Sequence, residues 1–340
     1  MPTILDLFSQ KEVLNYMNSR DYKALPGEEL FPEVKKQGLE FDMIKGGSSL
    51  PVIASVHAFD TEAEIGSREA SKMALELALI KRKMQLKEKD IIAIENPRNQ
   101  AEQEYLMKNV FNDIDVLVAG VRARAEAMRM EVLANGTVTL DENELDMVVD
   151  YQVPTENKEA LSGTGLWTNA DSDPIEDMLR WANQLGTSPT RALTSNAVLS
   201  ALLRHPKVIG ALYGRDSMRV ATRADLNAFM VQHDLPQIQA YDARYRKQEK
   251  NGKYTQHRYF PNNKFVMFGD GALGETLYGP TPEESRLVRD PAVEQSKIGN
   301  VLAMVYEESL DPVSTWTKAV ATALPSFPAA DEVFQAQPIA

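Results

Sequence analysis

Cysteine is absent from this 340-residue chain. That excludes disulfides, thiolate-bound zinc, iron–sulfur clusters and thiol catalysis, and it suits a reducing compartment. Histidine is scarce: His57, His205, His233 and His257 are the whole set. No two of them have the spacing of an H-x-x-x-H metal helix, so the expected metal set is none. Basic residues fall short of acidic ones, 37 against 49, leaving a formal charge of −12. A sequence-independent nucleic-acid coat needs a basic surface to meet phosphates, and this balance argues against one. No apolar run approaches the ~18 residues that span a bilayer. Met1 to Asp6 has neither the basic nor the apolar stretch of a secretion signal.

What is present is ordinary for a folded chain. The apolar fraction is 43% and the charged fraction 25%, the usual mix of a globular protein. At roughly 150 residues per domain, two domains are expected. No G-x-S-x-G elbow, H-E-x-x-H helix or Walker loop occurs, and no catalytic constellation rises above background, so the expected catalytic set is none.

Residues 1–45 read as an arm. Ser9 with Glu12 forms a capping box before a short helix carrying Val13, Leu14 and Met17. So small a segment buries little alone and is expected to pack on something else, another subunit being one candidate. Val52 to Phe59 alternates like a strand. Ser71 to Lys89 is ambiguous: its Met, Ala, Leu, Glu and Lys content favours a helix, whereas Met73, Leu75, Leu77 and Leu79 alternate as in a strand. Periodicity leaves both open.

Residues 99–134 are the clearest element. Val110, Ile114, Leu117, Val121, Ala125, Met128 and Val132 recur at spacings of three and four and form one apolar stripe. Asn135-Gly136 stops the helix. Its length, roughly 54 Å, is about three times the usual. Strands follow to Val153. Asp173-Pro174 starts a helix with Ile175, Met178, Leu179 and Ala182 on its apolar side. Further helices are expected at 195–204 and 222–233, a hairpin turn at Asn251-Gly252, a strand at 264–268, and short extended pieces in the Pro-bearing tail from 313.

Gly269-Asp270-Gly271-Ala272-Leu273-Gly274 fits G-x-G-x-x-G and follows a strand, with Asp290 about twenty residues on. Against a dinucleotide site, Glu275 to Pro282 cannot continue as the helix whose N-terminus would hold phosphate. A glycine-rich turn is the simpler reading. Lys81-Arg82-Lys83 and the stretch from Arg244 to Arg258 are the main basic clusters. Each either docks on an acidic partner or lies solvated along a strand edge. Trp167, Trp181 and Trp316 read as core or interface anchors.

Three stretches, in order, carry a resemblance: Trp167-Thr168-Asn169 to Asp173-Pro174-Ile175-Glu176-Asp177, Lys250-Asn251-Gly252-Lys253 to Phe268-Gly269, and Asp311-Pro312-Val313 to Phe334. With the long helix before them, they resemble the lambda-like major capsid protein E family of tailed bacteriophages. The resemblance implies an α+β chain with the HK97-like major capsid protein fold. It places an N-terminal arm at 1–45, an extended E-loop at 46–88, a peripheral (P) domain at 89–186 with its spine helix at 99–134, an axial (A) domain at 187–300, and return strands at 301–340. It also turns 71–89 from helix to strand. The implied product is a non-enzymatic icosahedral shell of hexamers and pentamers, built around a scaffolding protein as a procapsid that expands as double-stranded DNA enters. The implied partners are other copies, the scaffolding protein, a portal protein and, as a further candidate, a decoration protein. No cofactor and no membrane are implied. The implied location is the virion, after assembly in host cytoplasm. Arg68, Lys81, Arg82 and Lys83 are the E-loop residues expected to contact a neighbouring subunit. A cellular nanocompartment shell of the same fold, and a dinucleotide-binding enzyme using Gly269 to Gly274, are the alternatives.

Overall fold

The apolar stripe of the long helix is real and deeply buried. Its seven residues from Val110 to Val132 are each at most 2% exposed, on one continuous helix, Gln100–Asn135. Asn99 caps it, its Oδ1 accepting from the Glu102 amide at 2.8 Å. The computed structural model describes residues 7–45, 71–142, 145–214, 217, 219–249, 251–287, 299–308 and 314–340. The strand read at Val52 to Phe59 lies outside these.

In chain order the elements are α1 (Gln10–Ser19), α2 (Pro26–Leu30), β1 (Glu33–Lys35), β2 (Glu40–Lys45), β3 (Ser71–Glu76), β4 (Ala78–Leu86), α3 (Glu88–Glu95) and the long helix α4 (Gln100–Asn135). After it come β5 (Thr137–Glu142), β6 (Leu145–Asp150), β7 (Lys158–Ala160), α5 (Pro174–Gln184), β8 (Arg191–Thr194), α6 (Asn196–Arg204), α7 (Pro206–Tyr213) and α8 (Arg223–Gln232). The rest are β9 (Gln237–Ala240), β10 (Arg244–Gln248), β11 (Tyr254–Arg258), β12 (Phe265–Phe268), β13 (Thr276–Gly279), α9 (Pro282–Leu287), β14 (Leu302–Glu308), β15 (Ser314–Pro325) and β16 (Phe334–Gln337).

These elements fall into two compact units. The first gathers 1–41, 76–126 and 275–326. Its sheet is centred on β15, a twelve-residue strand where the tail was expected to hold only short pieces. β14 and β13 pair antiparallel along β15, β4 pairs antiparallel with it, and β1 runs parallel to β13. Ala319, Ala321 and Ala323 share one buried cluster with Leu86 and with the α4 residues from Val110 to Val121. Small side chains on the strand let the bulky helix stripe seat closely. The arm helix joins this cluster. Phe8 and Val13 are buried in it, and the Phe8 and Phe111 rings meet edge-on at 5.2 Å. The arm thus packs α1 on its own long helix. What decides this is Phe111, an aromatic beside the stripe that the stripe's periodicity did not include.

Residues 71–86 form strands, so alternation prevailed over helix propensity. The alternation slips once. Leu77 and Ala78 are both buried, and thereafter Ile80, Met84 and Leu86 face the core while Leu79 is 46% exposed.

The second unit gathers 42–75, 127–274 and 327–340. Its five-stranded sheet has the order β7-β16-β12-β8-β9. Helices α5 to α8 pack with it around Trp167, Trp181, Phe265 and Phe334. Trp181 stacks on Trp167 at 5.5 Å and on Phe334 at 5.3 Å. Asp173 caps α5 as read, accepting from the Glu176 amide at 3.3 Å. The buried side of α5 uses Trp181 and Met178, however, and Leu179 is 36% exposed. β2–β3, β5–β6 and β10–β11 are separate two-stranded pairs. Gly252 takes φ +80° in the β10–β11 turn, as the Asn-Gly signal predicts.

One carboxylate fastens the aromatic stack. Glu159 accepts from Arg180 Nη1 at 2.8 Å and Nη2 at 3.2 Å, and from Trp181 Nε1. Burial pushes its carboxyl up, but the bonds from Arg180 and Trp181 outweigh that and hold it below its ordinary value. A carboxylate depressed in the fold contributes stability above its unfolded pKa, about 4.3, and loses it as pH falls through the folded value. Glu159→Gln should therefore be about 1.5–3 kcal/mol less stable than the parent at pH 7, with the gap closing toward pH 3. Urea unfolding across that range measures it, and a gap independent of pH would discard the assignment.

Candidate assembly surface

The predicted contact residues lie on β4, apart from Arg68, which is outside the described residues. β4 pairs with β15 on one side. Among the described residues no strand covers its other side. Edge strands bearing lysine resist unplanned pairing, and the same exposed backbone is a ready surface for a chosen partner.

Strand alternation splits the three cations. Lys81 and Lys83 share one face and Arg82 takes the other. Lys83 Nζ sits 3.8 Å from the Trp316 ring centroid, and Trp316 Nε1 donates to Glu308 Oε2 at 3.1 Å. Lys83 is directly opposite Lys318, and Lys318 is neutralised by an ion pair with Glu283. Burial raises the Glu283 carboxyl, but the Lys318 bond, with a weaker pull from Lys81, brings it below the ordinary value. Arg82 instead turns toward α4, where a Cβ placed on Gly120 would lie 3.8 Å from its Cδ. The face of Lys81 and Lys83 is thus an outward basic strip with an indole beneath it. Arg82 belongs to the helix-facing side.

The arm is tied to α4 through Asp115. Tyr16 Oη donates to its Oδ2 at 2.7 Å, Tyr22 Oη to its Oδ1 at 3.1 Å, and Arg20 Nη2 to its Oδ2 at 2.7 Å. Burial first, and Asp115 second, push both phenols above their ordinary value. Beside this knot, a cleft of about 390 Å³ is lined by Tyr16, Arg20, Glu104, Met107, Lys108, Phe111 and Asn112. Sequence reading missed Asp115. Nothing in the sequence marks it, because its partners Tyr16, Arg20 and Tyr22 lie 99, 95 and 93 residues away.

The glycine run is a turn. Gly271 takes φ +91°, and Arg191 Nη2 donates to the Gly269 carbonyl at 3.1 Å and the Gly271 carbonyl at 2.5 Å. The chain then continues into the strand β13. The helix N-terminus that a pyrophosphate requires does not follow. Of the three tryptophans, Trp167 and Trp181 are core residues, and Trp316 is the half-buried platform under Lys83.

The family model for phage major capsid protein E matches residues 12–337. The chain belongs to that family. It is therefore a major capsid protein, a structural component of the virion and no enzyme. Membership of a phage family also favours the phage shell over the cellular nanocompartment. Among solved structures, a protein assigned as the capsid protein of an Escherichia coli CFT073 prophage is similar at 14% identity and TM-score 0.66, covering 97% of this chain and 99% of that one. A phage-related protein from Bordetella bronchiseptica RB50 is similar at 12% identity and TM-score 0.55, covering 96% of each chain. At these identities the likeness is one of fold, the HK97-like capsid fold. No curated protein sequence matches the chain.

Proposed function

We propose that this major capsid protein builds its icosahedral head from hexamers and pentamers, first as a procapsid around a scaffolding protein and then as an expanded shell enclosing double-stranded DNA. Assembly takes place in host cytoplasm, with a portal protein at one vertex and a decoration protein as a further candidate partner. In this reading 1–45 is the N-terminal arm, 46–88 the E-loop, 89–186 the P domain, 187–300 the A domain, and 301–340 the return strands. The net charge of −12 suits a container whose acidic wall, if shared by its inner face, attracts packaged DNA little.

The edge strand β4 carries the reading of how copies join. Its uncovered side and the outward Lys81 and Lys83 are what a neighbouring acidic surface would meet. Many such modest contacts add through multivalency to a durable shell. The double variant Lys81→Glu/Lys83→Glu should abolish particles seen by electron microscopy while its circular dichroism stays that of the folded parent subunit. Particles of normal size and number from that variant would remove β4 from the interface. Arg82→Glu tests something else: it acts on the α4 side and should lower subunit stability instead.

A further inference from the structure

Two isolated hairpins of the second unit set like charges against each other. In β5–β6, Asp141 stands directly opposite Asp146, and Asp150 lies on the same face opposite Thr137. In β10–β11, Arg244 stands directly opposite Arg258, with Arg246 next on that face opposite Gln256. Like charges in directly opposed positions destabilise an antiparallel pair. Arg258 is answered by Asp242. Among the described residues Asp141 and Asp146 meet no cation, and Arg244 and Arg246 meet no carboxylate. Arg244 only donates to Gln256 Oε1 at 3.4 Å, and Arg246 lies over the Tyr254 ring at 5.4 Å.

The opposite faces of the two hairpins are already used within the chain. Glu142, on the other side of β5 from Asp141, pairs with Lys247 at 2.8 Å. Lys247 is on the other side of β10 from Arg244 and Arg246, where Tyr245 stacks with His257 and Tyr259. By alternation, the aspartates and arginines face outward on opposite sides of this joined pair of hairpins.

From this, and resting on the shell reading above, we infer that the Asp141/Asp146/Asp150 face of one copy docks on the Arg244/Arg246/Arg258 face of a second copy. The contact is heterologous, head to tail, the kind that closes into rings when the rotation allows. Each face supplies what the other lacks, so a strain carried separately by two hairpins in the monomer is relieved in the assembly. Being polar and exposed, the contact is sensitive to salt and contributes register and association rate. Tyr254, 57% exposed beside Arg246, supplies apolar area within it.

The full chain, expressed with the head genes of its own phage and counted as particles by electron microscopy, tests this. Asp141→Arg/Asp146→Arg and Arg244→Glu/Arg246→Glu should each lower particle yield about tenfold or more. The variant carrying all four substitutions restores complementarity and should recover yield to within about threefold of the parent. Because it contains every substitution of the other two, its recovery also excludes misfolding as their defect. Normal yield from either single-face variant, or failure of the fourfold swap, overturns the contact. So does a loss confined to the arginine variant, which would mark that face as a site for another anion such as DNA. Absence of particles from the unmodified chain would instead overturn the shell reading, and this contact with it.

Discussion

Gly136→Ala should lower the unfolding free energy by about 2–5 kcal/mol, as the sum of two costs on one methyl group. Gly136 ends the long helix with φ +72°, a left-handed conformation that costs a residue bearing a Cβ about 1–2 kcal/mol. Its amide donates to the Val132 carbonyl at 2.7 Å, so the backbone there is held and cannot relax outward. An ideal Cβ at this position would stand 2.6 Å from Val153 Cγ2 and 3.2 Å from Val153 Cβ. Val153 is 4% exposed, so overpacking adds a further cost of about 1–3 kcal/mol. Gly163 is the matched control. Its φ is +56° and nothing lies within 4 Å of its ideal Cβ, so Gly163→Ala should cost only the conformational part. Denaturant unfolding of the two variants separates the contributions, and equal losses would show that the contact with Val153 is unimportant.

Gln335→Glu should be still more costly at neutral pH. Gln335 is 3% exposed, and its Nε2 donates to the Val132 and Leu133 carbonyls at 3.3 and 2.8 Å. Those are carbonyls in the last turn of α4: Val132's also receives the Gly136 amide, whereas Leu133's lies where the helix has run out of donors. The amide therefore caps the helix from the opposite end of the chain. A carboxylate there loses both donated bonds and places a buried negative charge at the negative end of the helix dipole. Leaving such a charge unpaired costs about 3–5 kcal/mol. The same environment raises the new carboxyl's pKa in the fold. Its neutral form donates a hydrogen bond, so stability is best below the unfolded value near 4.3 and falls as pH rises through the raised one. Gln335→Leu removes the donors without adding charge and should cost less, with no such pH dependence. Melting curves for both variants at pH 5 and pH 8 decide it. A glutamate variant insensitive to pH would mean that its side chain turns to solvent and the cap is dispensable.

The features legible in the sequence were those whose causes lie within a few residues. The stripe from Val110 to Val132, the caps at Ser9 and Asp173, and the Asn251-Gly252 turn all depend on spacings and hydrogen bonds closed inside one element. The absence of cysteine likewise excluded thiol chemistry by itself, because no fold can supply a missing thiol. The ordered set of weak local matches was enough to point to the capsid family.

Tertiary structure decided what depends on distant partners. Residues 71–86 have helix-forming composition, yet β4 is a strand because β15, more than 200 residues on, pairs with it along nine residues. Gln335 reads as an unremarkable polar residue in a strand, and only the fold sets it 203 residues from Val132 in sequence but at hydrogen-bond distance. Lys81-Arg82-Lys83 looks like one basic cluster, and the pleat divides it between two faces. Asp141 and Asp146 are unmarked in the sequence, and Arg244 and Arg246 are only part of one basic stretch, until strand register assigns them to faces. Local spacing specifies elements, whereas pairing and burial specify which side of each element another molecule can touch.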